Sequence, residues 1–190
     1  MQTTTPKSIP RLKEILQRLK WSILGLPLLL CTCDPAPKPA PLPDFGTAAA
    51  PAVYADFAAV ESLFHQRSDT TYVVNFWATW CKPCREEIPL LQKLGREEGD
   101  QKVRVVLVSL DTEPGAIARI PAFLGEVAPD LPAIVLTDEN DAVWGKTIDR
   151  VWSGALPTTI IYRGELRYVY RRDFSTYVDL RTALDPLIGR

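Results

Sequence analysis

The chain has 190 residues, of which 46% are hydrophobic, so it suits one folded domain with a hydrophobic core and a short appendage. Its 22 basic and 23 acidic residues nearly cancel, and this balance offers no electrostatic basis for binding a nucleic acid. A chain this apolar is not disordered throughout.

The first 33 residues have the pattern of a secretion signal. A basic segment precedes the apolar run Trp21–Leu30, which is shorter than the roughly 20 residues of a comfortable transmembrane helix. The run continues into Cys31 and Cys33, and Leu-Leu-Leu-Cys-Thr-Cys resembles a bacterial lipoprotein box. The small Thr32 makes Cys33 the better candidate for lipidation and Cys31 the alternative. We predict a lipoprotein signal over residues 1–33; a plain secretion signal and an uncleaved anchor are the other interpretations.

Residues 34–51 have the composition of an extended tether, because prolines alternate with other residues from Pro35 to Pro43. Such a segment favours polyproline II, which rises about 3.1 Å per residue and does not join a hydrophobic core. The folded domain is therefore predicted over residues 52–190. A lipid on the preceding cysteine would hold this domain about 30 Å from a membrane.

The remaining sequence alternates between strand and helix patterns. Runs of β-branched and aromatic residues predict strands, which are Val53-Tyr54 and residues 71–77, 103–109, 133–136, 158–163 and 165–171. Apolar residues at helical spacing predict helices over residues 57–66, 82–98, 115–127 (broken at Pro121), 139–148 and 176–188. This order predicts an α/β fold in which helices flank a central mixed sheet that carries an antiparallel edge.

The motif Cys81-Lys82-Pro83-Cys84 lies where a predicted strand gives way to a predicted helix. The spacing places both sulfurs on one side of the first helical turn, where they can form a disulfide. Unpaired N–H groups and the helix dipole at that terminus favour a thiolate at Cys81. We therefore assign Cys81 as the nucleophile and Cys84 as the thiol that resolves the mixed disulfide.

Other uses of the cysteine pair fit the sequence less well. A zinc site usually has four ligands, but the chain has no second C-x-x-C motif and its single histidine, His65, lies far upstream. A c-type haem needs a histidine directly after Cys84, where Arg85 stands. A purely structural disulfide does not need a junction between a strand and a helix. We therefore predict no metal and no other cofactor.

Two segments resemble a known family. Asn75-Phe-Trp-Ala-Thr-Trp-Cys-Lys-Pro-Cys-Arg-Glu-Glu-Ile-Pro89 is similar to the active-site segment of TlpA/ResA-type proteins, which are membrane-tethered or secreted thiol–disulfide oxidoreductases. Leu156-Pro157-Thr-Thr-Ile-Ile resembles their cis-proline loop, which enters an antiparallel strand. The resemblance covers residues 53–188. It implies a thioredoxin fold with an extra helix and strand segment between the C-x-x-C helix and the cis-proline strand.

The resemblance also implies roles for residues beside the cysteines. Pro157 would be cis, would lie next to the Cys81–Cys84 pair and would keep metal ions off the thiols. It would also leave the backbone of Leu156 free to pair with an extended substrate segment. Trp80 would cover the site and help to bind partners, and plain packing is the alternative for this side chain.

Three polar residues near the pair are further candidates. Lys82 brings a positive charge that favours a thiolate at Cys81, unless solvent screens it. Thioredoxin carries a buried acid where this chain has Asn75, and an amide cannot take up a proton. Deprotonation of Cys84 would then use water or another carboxylate, of which Glu87 is one. The alternative for Glu87 is a place on a solvated helix face.

These observations predict a lipid-anchored enzyme of the bacterial cell envelope or periplasm that reduces disulfides of other proteins. An upstream thiol electron donor would restore its dithiol. The resemblance suggests apocytochrome c or misoxidised envelope proteins as substrates. The alternatives are an oxidant that donates disulfides, a redox-gated binding module and a copper assembly factor. The last usually has C-x-x-x-C and a downstream histidine, which this chain lacks.

Overall fold

One mixed sheet of seven strands organises the computed structural model, which describes residues 40–188. In chain order the strands are β1 (Gly46–Thr47), β2 (Ala50–Tyr54), β3 (Thr71–Trp77), β4 (Val103–Ser109), β5 (Ala133–Leu136), β6 (Thr158–Arg163) and β7 (Leu166–Tyr170). Their order across the sheet is β1-β2-β5-β4-β3-β6-β7. The strands β2, β5, β4 and β3 are parallel, whereas β1, β6 and β7 each pair antiparallel with a neighbour.

Helices connect these strands. The described residues contain the α-helices α1 (Lys82–Glu98), α2 (Pro114–Ile117), α3 (Ile120–Val127), α4 (Asp141–Ile148), α5 (Tyr177–Thr182) and α6 (Asp185–Ile188). Short 3₁₀ helices lie at Phe57–Ala59, Glu61–Phe64 and Gly99–Gln101. Within residues 40–188, every helix is too short or too polar to cross a bilayer.

The central strand β3 supplies both cores of the domain, and all seven of its residues are buried. Because successive strand side chains point to opposite faces, alternate residues enter different cores. Val73 and Trp77 join the core that contains Ile88 and Leu91 of α1. Their neighbours join a second core that is rich in aromatic rings, which are Phe57, Phe64, Tyr72, Phe76, Trp144, Trp152 and Tyr162. Asn75 has the parity of Val73 and Trp77 and so faces α1.

The structure reproduces most of the predicted elements and corrects two of them. The predicted strands over residues 71–77, 103–109, 133–136 and 158–163 coincide with β3 to β6. The predicted helix over residues 57–66 is wrong, because Phe57, Val60 and Leu63 are buried at a spacing of three, which suits 3₁₀ turns. The predicted helix over residues 176–188 divides into α5 and α6, since Pro186 has no N–H to continue the ladder.

The sheet begins inside the range that we predicted to be the tether. β1 and the start of β2 precede residue 52, and Phe45 packs against the aromatic core. Upstream of them, the backbone oxygen of Ala40 accepts a hydrogen bond from Gln66 Nε2 at 2.9 Å. Proline prevents a regular ladder in this segment, but it does not prevent the apolar side chains from packing. Residues 1–39, with Cys31, Cys33 and the predicted signal, lie outside the described residues.

Candidate active site

The sheet topology brings the two sequence landmarks to one end of the domain. The carboxyl end of β3 leads through three residues to Cys81 at the start of α1. β6 pairs antiparallel with β3 and places Thr158 opposite Phe76, so Pro157 lies at the same end. The Leu156–Pro157 peptide bond is cis, which confirms the predicted conformation. Leu156 packs against the core that contains both cysteines.

Cys81 and Cys84 form a disulfide, with their Cα atoms 5.3 Å apart. Cys81 is the N-cap residue of α1, and its Sγ accepts a hydrogen bond from the Cys84 N–H at 3.3 Å. After reduction, this N–H donor and the helix N-terminus would both favour a thiolate at Cys81. Cys81 keeps 5% of its surface exposed, whereas Cys84 is fully buried. Cys81 is therefore the sulfur that a partner reaches first.

Asp111 holds the loop that precedes the cysteines, and the sequence analysis did not single it out. Its carboxylate accepts hydrogen bonds from Thr79 N–H at 2.9 Å, Thr79 Oγ1 at 2.7 Å and Ser109 Oγ at 2.8 Å. Only 1% of Asp111 is exposed. The available signal was its place two residues after the end of the buried strand β4, because adjacent parallel strands end at the same edge of a sheet.

Glu87 lies one helical turn after Cys84 and is 2% exposed, so the alternative of a solvated helix face is wrong. Its Oε1 accepts from Asn75 Nδ2 at 2.7 Å, and its Oε2 accepts from the Phe174 N–H at 2.9 Å. Asn75 Nδ2 also donates to Thr159 Oγ1 at 2.9 Å. Burial raises the pKa of Glu87 to about 7, although both hydrogen bonds act in the opposite direction.

The loop after β7 completes the surroundings of Glu87. Phe174 is buried, and the guanidinium carbon of Arg172 lies 4.8 Å from the centre of its ring. Arg172 also donates to both carboxylate oxygens of Asp179, at 2.6 and 2.8 Å. These contacts keep the Phe174 N–H directed at Glu87. The sequence pattern does not predict this contact, because Phe174 contributes only its backbone and lies 87 residues away along the chain.

The residues between the two cysteines are exposed. Lys82 pairs with Glu86 one turn later, and both side chains are largely in solvent. Such pairs contribute little in water, and Glu86 offsets the charge that we expected to favour a thiolate at Cys81. Pro83 lies in the first turn of α1, where its missing N–H has no helical partner to lose.

The profile of the Redoxin family matches residues 39–183, which is well over half of the chain. This chain belongs to the Redoxin family.

Curated relatives of this Redoxin chain match part of its length. It is 36% identical over 99 residues to the thiol-disulfide oxidoreductase ResA of Oceanobacillus iheyensis, over 51% of this chain and 47% of ResA. It is 38% identical over 63 residues to the thioredoxin-like protein YneN of Bacillus subtilis, over 33% of this chain and 36% of YneN. The chain thus spans less than half the length of these two relatives.

Solved structures show the same fold. A thiol:disulfide interchange protein of the thioredoxin family from Chlorobium tepidum has a TM-score of 0.57 at 21% identity, over 82% of this chain and 99% of that chain. A DsbF homologue from Corynebacterium diphtheriae has a TM-score of 0.52 at 28% identity, over 63% of this chain and 73% of that chain. These structures confirm the predicted thioredoxin fold, and the Redoxin match together with the curated relatives confirms the predicted family of thioredoxin-like oxidoreductases.

A groove of about 200 Å³ opens in this Redoxin domain at the residues that directly precede Cys81 and Pro157. Trp80, which is 70% exposed, and Leu156 both line it. The other lining residues are mostly apolar or acidic and are Leu110, Thr112, Leu136, Asp138, Glu139, Asp141, Trp144 and Gly154. Several of them belong to the extra segment between the landmarks, in which β5 joins the sheet between β2 and β4.

The described residues contain another groove far from the cysteines and no cluster of metal ligands. A groove of about 570 Å³ surrounds the last turns of α1, near Gln92 and Gly99, whereas the cysteines occupy the first turn. Within residues 40–188, no three side chains of His, Cys, Asp or Glu come together in a way that could hold a metal ion.

Proposed function

We propose that this chain is a thiol–disulfide oxidoreductase that works outside the cytoplasm and reduces disulfides of envelope proteins. The observation that carries this proposal is the Cys81–Cys84 disulfide at the first turn of α1, with Cys81 the more accessible sulfur. The relatives support the reaction class, since one is a thiol-disulfide oxidoreductase and another a thiol:disulfide interchange protein. The basic segment and apolar run within residues 1–33 support the location, with a lipid on Cys33 or Cys31 as the anchor.

The reaction begins with the reduced protein. The Cys81 thiolate attacks one sulfur of the partner disulfide, whose S–S bond breaks as the mixed disulfide forms. The partner sulfur that Cys81 did not attack leaves as a thiolate and takes up a proton. The Cys84 thiolate then attacks Cys81 Sγ, so the Cys81–Cys84 disulfide forms and the second partner sulfur leaves. Two electrons pass from the dithiol to the partner, and an upstream thiol donor returns them by the reverse exchange.

We assign Glu87 as the base that takes the proton from the Cys84 thiol. Cys84 is fully buried, and burial disfavours its thiolate unless a base is close. Residues three apart on a helix are neighbours on its surface, and the pKa of Glu87 is about 7. A carboxyl with this pKa can take and return a proton near neutral pH. Asn75 binds this carboxyl instead of acting as the acid.

The partner chain is expected to lie in the groove that Trp80 and Leu156 line. An exposed tryptophan offers a large apolar surface at little cost in conformational entropy, which suits recognition of different protein substrates. The backbone of Leu156 lies directly before Pro157 and is available to an extended segment of the partner.

Replacement of Cys84 tests the assignment of the two sulfurs. We expect reduced Cys84→Ser to form a stable mixed disulfide with oxidised glutathione, because Cys81 attacks and no second thiol releases the adduct. Mass spectrometry of proteolytic peptides from the full chain assigns the glutathionyl group to its cysteine and separates it from any group on Cys31 or Cys33. Cys81→Ser is the matched control, and its Cys84 should stay unmodified because that residue is buried. An adduct on Cys84 in that control, or none on Cys81 in Cys84→Ser, would contradict the proposed function.

A further inference from the structure

Asn75 is the residue of this site whose hydrogen bonding is incomplete. It lies in the central strand β3 and is fully buried. Its Nδ2 donates to Glu87 Oε1 at 2.7 Å and to Thr159 Oγ1 at 2.9 Å. Among the described residues, nothing donates a hydrogen bond to its buried Oδ1. An unpaired buried acceptor costs free energy, so such a group calls for an explanation.

Both hydrogen bonds that reach Glu87 are donated to its carboxyl. The Asn75 amide at Oε1 and the Phe174 N–H at Oε2 suit a carboxylate, which only accepts. A carboxylic acid carries an O–H that needs an acceptor, and a backbone N–H cannot accept. Asn75 can supply one, since a half-turn of its amide exchanges Nδ2 and Oδ1. The Thr159 hydroxyl can then donate to Oδ1, because a hydroxyl both accepts and donates.

We propose that Asn75 is a positioning residue whose side-chain amide reverses when Glu87 gains or loses its proton. In one orientation Nδ2 donates to the carboxylate, and in the other Oδ1 accepts the O–H of the carboxylic acid. The unpaired group passes from Oδ1 to Nδ2, so neither orientation satisfies the whole amide. An ionised Asp at this position would offer no donor to the Glu87 carboxylate.

The catalytic consequence rests on the proposed function. When the Cys84 thiol gives its proton to Glu87, the carboxyl becomes neutral and Asn75 turns Oδ1 towards it. When Glu87 loses that proton, Nδ2 returns. Asn75 thereby keeps Glu87 hydrogen-bonded at the same place in both halves of the reaction.

The charged groups that the described residues place around Glu87 change its pKa, but none of them accepts the O–H of its protonated carboxyl. From the loop after β7, Asp173 raises and Arg172 lowers the pKa of Glu87, and both effects are smaller than that of burial. β3 and β6 contribute Asn75 and Thr159, neither of which titrates near neutral pH. On its own helix, Cys84 is held in the disulfide.

Nuclear magnetic resonance of the full-length, disulfide-bonded protein tests the reversal. The chain has two asparagines, Asn75 and Asn140, so isotope-labelled asparagine gives two side-chain amides. The Asn75 amide should show one transition with a midpoint near the pKa of Glu87, which is about 7. Above it, nuclear Overhauser effects should link the Nδ2 protons to the side chains of Thr159 and Glu87. Below it, these effects should disappear.

Asn140 is the internal control in the same spectra. Its Nδ2 donates to Asp138 Oδ1 at 3.2 Å on the surface, and backbone hydrogen bonds hold the pKa of Asp138 below its usual range. The Asn140 amide should therefore show no transition between about pH 5 and about pH 9.

Glu87→Gln is the decisive variant, because a glutamine imitates the protonated acid. Its oxygen accepts from the Phe174 N–H and its amide donates to Asn75, so Asn75 should keep the reversed orientation at every pH. Nuclear Overhauser effects to Thr159 that persist through the transition, or that remain in Glu87→Gln, would overturn the proposal, as would the absence of a transition. Because Cys81 and Cys84 stay in their disulfide throughout this experiment, its failure is separate from a failure of the glutathione test.

Discussion

Burial and hydrogen bonding act on Glu87 in opposite directions. Removal from water favours the neutral acid, whereas the N–H groups of Phe174 and Asn75 favour the carboxylate. Burial is the larger effect, so the pKa rises from 4.5 to about 7. A side chain that is ordinarily charged throughout the neutral range therefore changes charge within it, one helical turn after Cys84.

This raised pKa predicts how stability depends on pH. Between about pH 4.5 and about pH 7 the folded protein holds a proton on Glu87 that the unfolded chain has lost, so the free energy of unfolding falls as pH rises. Glu87→Gln removes this contribution. As pH rises from about 5 to about 8, the free energy of unfolding of the variant should therefore increase by on the order of 3 kcal/mol relative to that of the wild type. Urea denaturation of the disulfide-bonded proteins measures the gain.

Glu86→Gln is the matched control for this prediction, because Glu86 lies on the exposed side of the same helix turn. Its free energy of unfolding should follow that of the wild type at both pH values. If the difference between wild type and Glu87→Gln is the same at both, Glu87 does not have the pKa that we assign to it.

At the scale of elements, aromatic rings pack α4 against the sheet. The ring of Trp144 in α4 lies 6.1 Å from that of Phe76 in β3, and Trp152, which follows α4, meets the edge of Phe76 at 5.0 Å. Gly145 permits this packing, because a Cβ atom built on it would lie 2.2 Å from a ring atom of Trp152. The packing of α4, which borders the Trp80 groove, against Trp152 therefore requires a glycine at position 145.

Gly145→Ala should consequently destabilise the domain by about 1–3 kcal/mol, because the indole of Trp152 or the helix must move. The control is Gly125→Ala in α3, where a Cβ atom meets no other atom within 4 Å. That variant should be neutral or gain up to about 1 kcal/mol, since alanine is the better helix former. Urea denaturation compares the stabilities of the two variants. Equal effects would show that Trp152 does not pack closely against Gly145 of α4.

At the scale of the whole molecule, local patterns carried much of the prediction. The strands β3 to β6, the helix α1 and the cysteine pair follow from residues that are neighbours in sequence. The features that escaped prediction depend on distant contacts. Asp111 binds Thr79 across 32 residues, and the burial of Glu87 needs the loop that contains Phe174. No periodicity within a short window reports such contacts.

The start of the domain shows the same limit. Pro41 and Pro43 correctly suggest described residues without a regular ladder, but composition does not tell whether the apolar side chains beside them pack into a core. Phe45 packs against the aromatic core, and the Arg104 guanidinium lies 5.9 Å from the centre of its ring. This contact joins the segment to β4, which lies far along the sequence.

The equilibrium reduction potential of the Cys81–Cys84 pair in the full chain tests the central claim most directly. Trp80 fluorescence in dithiothreitol or glutathione buffers should report the fraction of reduced protein. We predict a value near that of thioredoxin, about −270 mV, because only a low-potential dithiol reduces ordinary protein disulfides. A value near about −120 mV would contradict a reductant, since it would make this protein a disulfide donor.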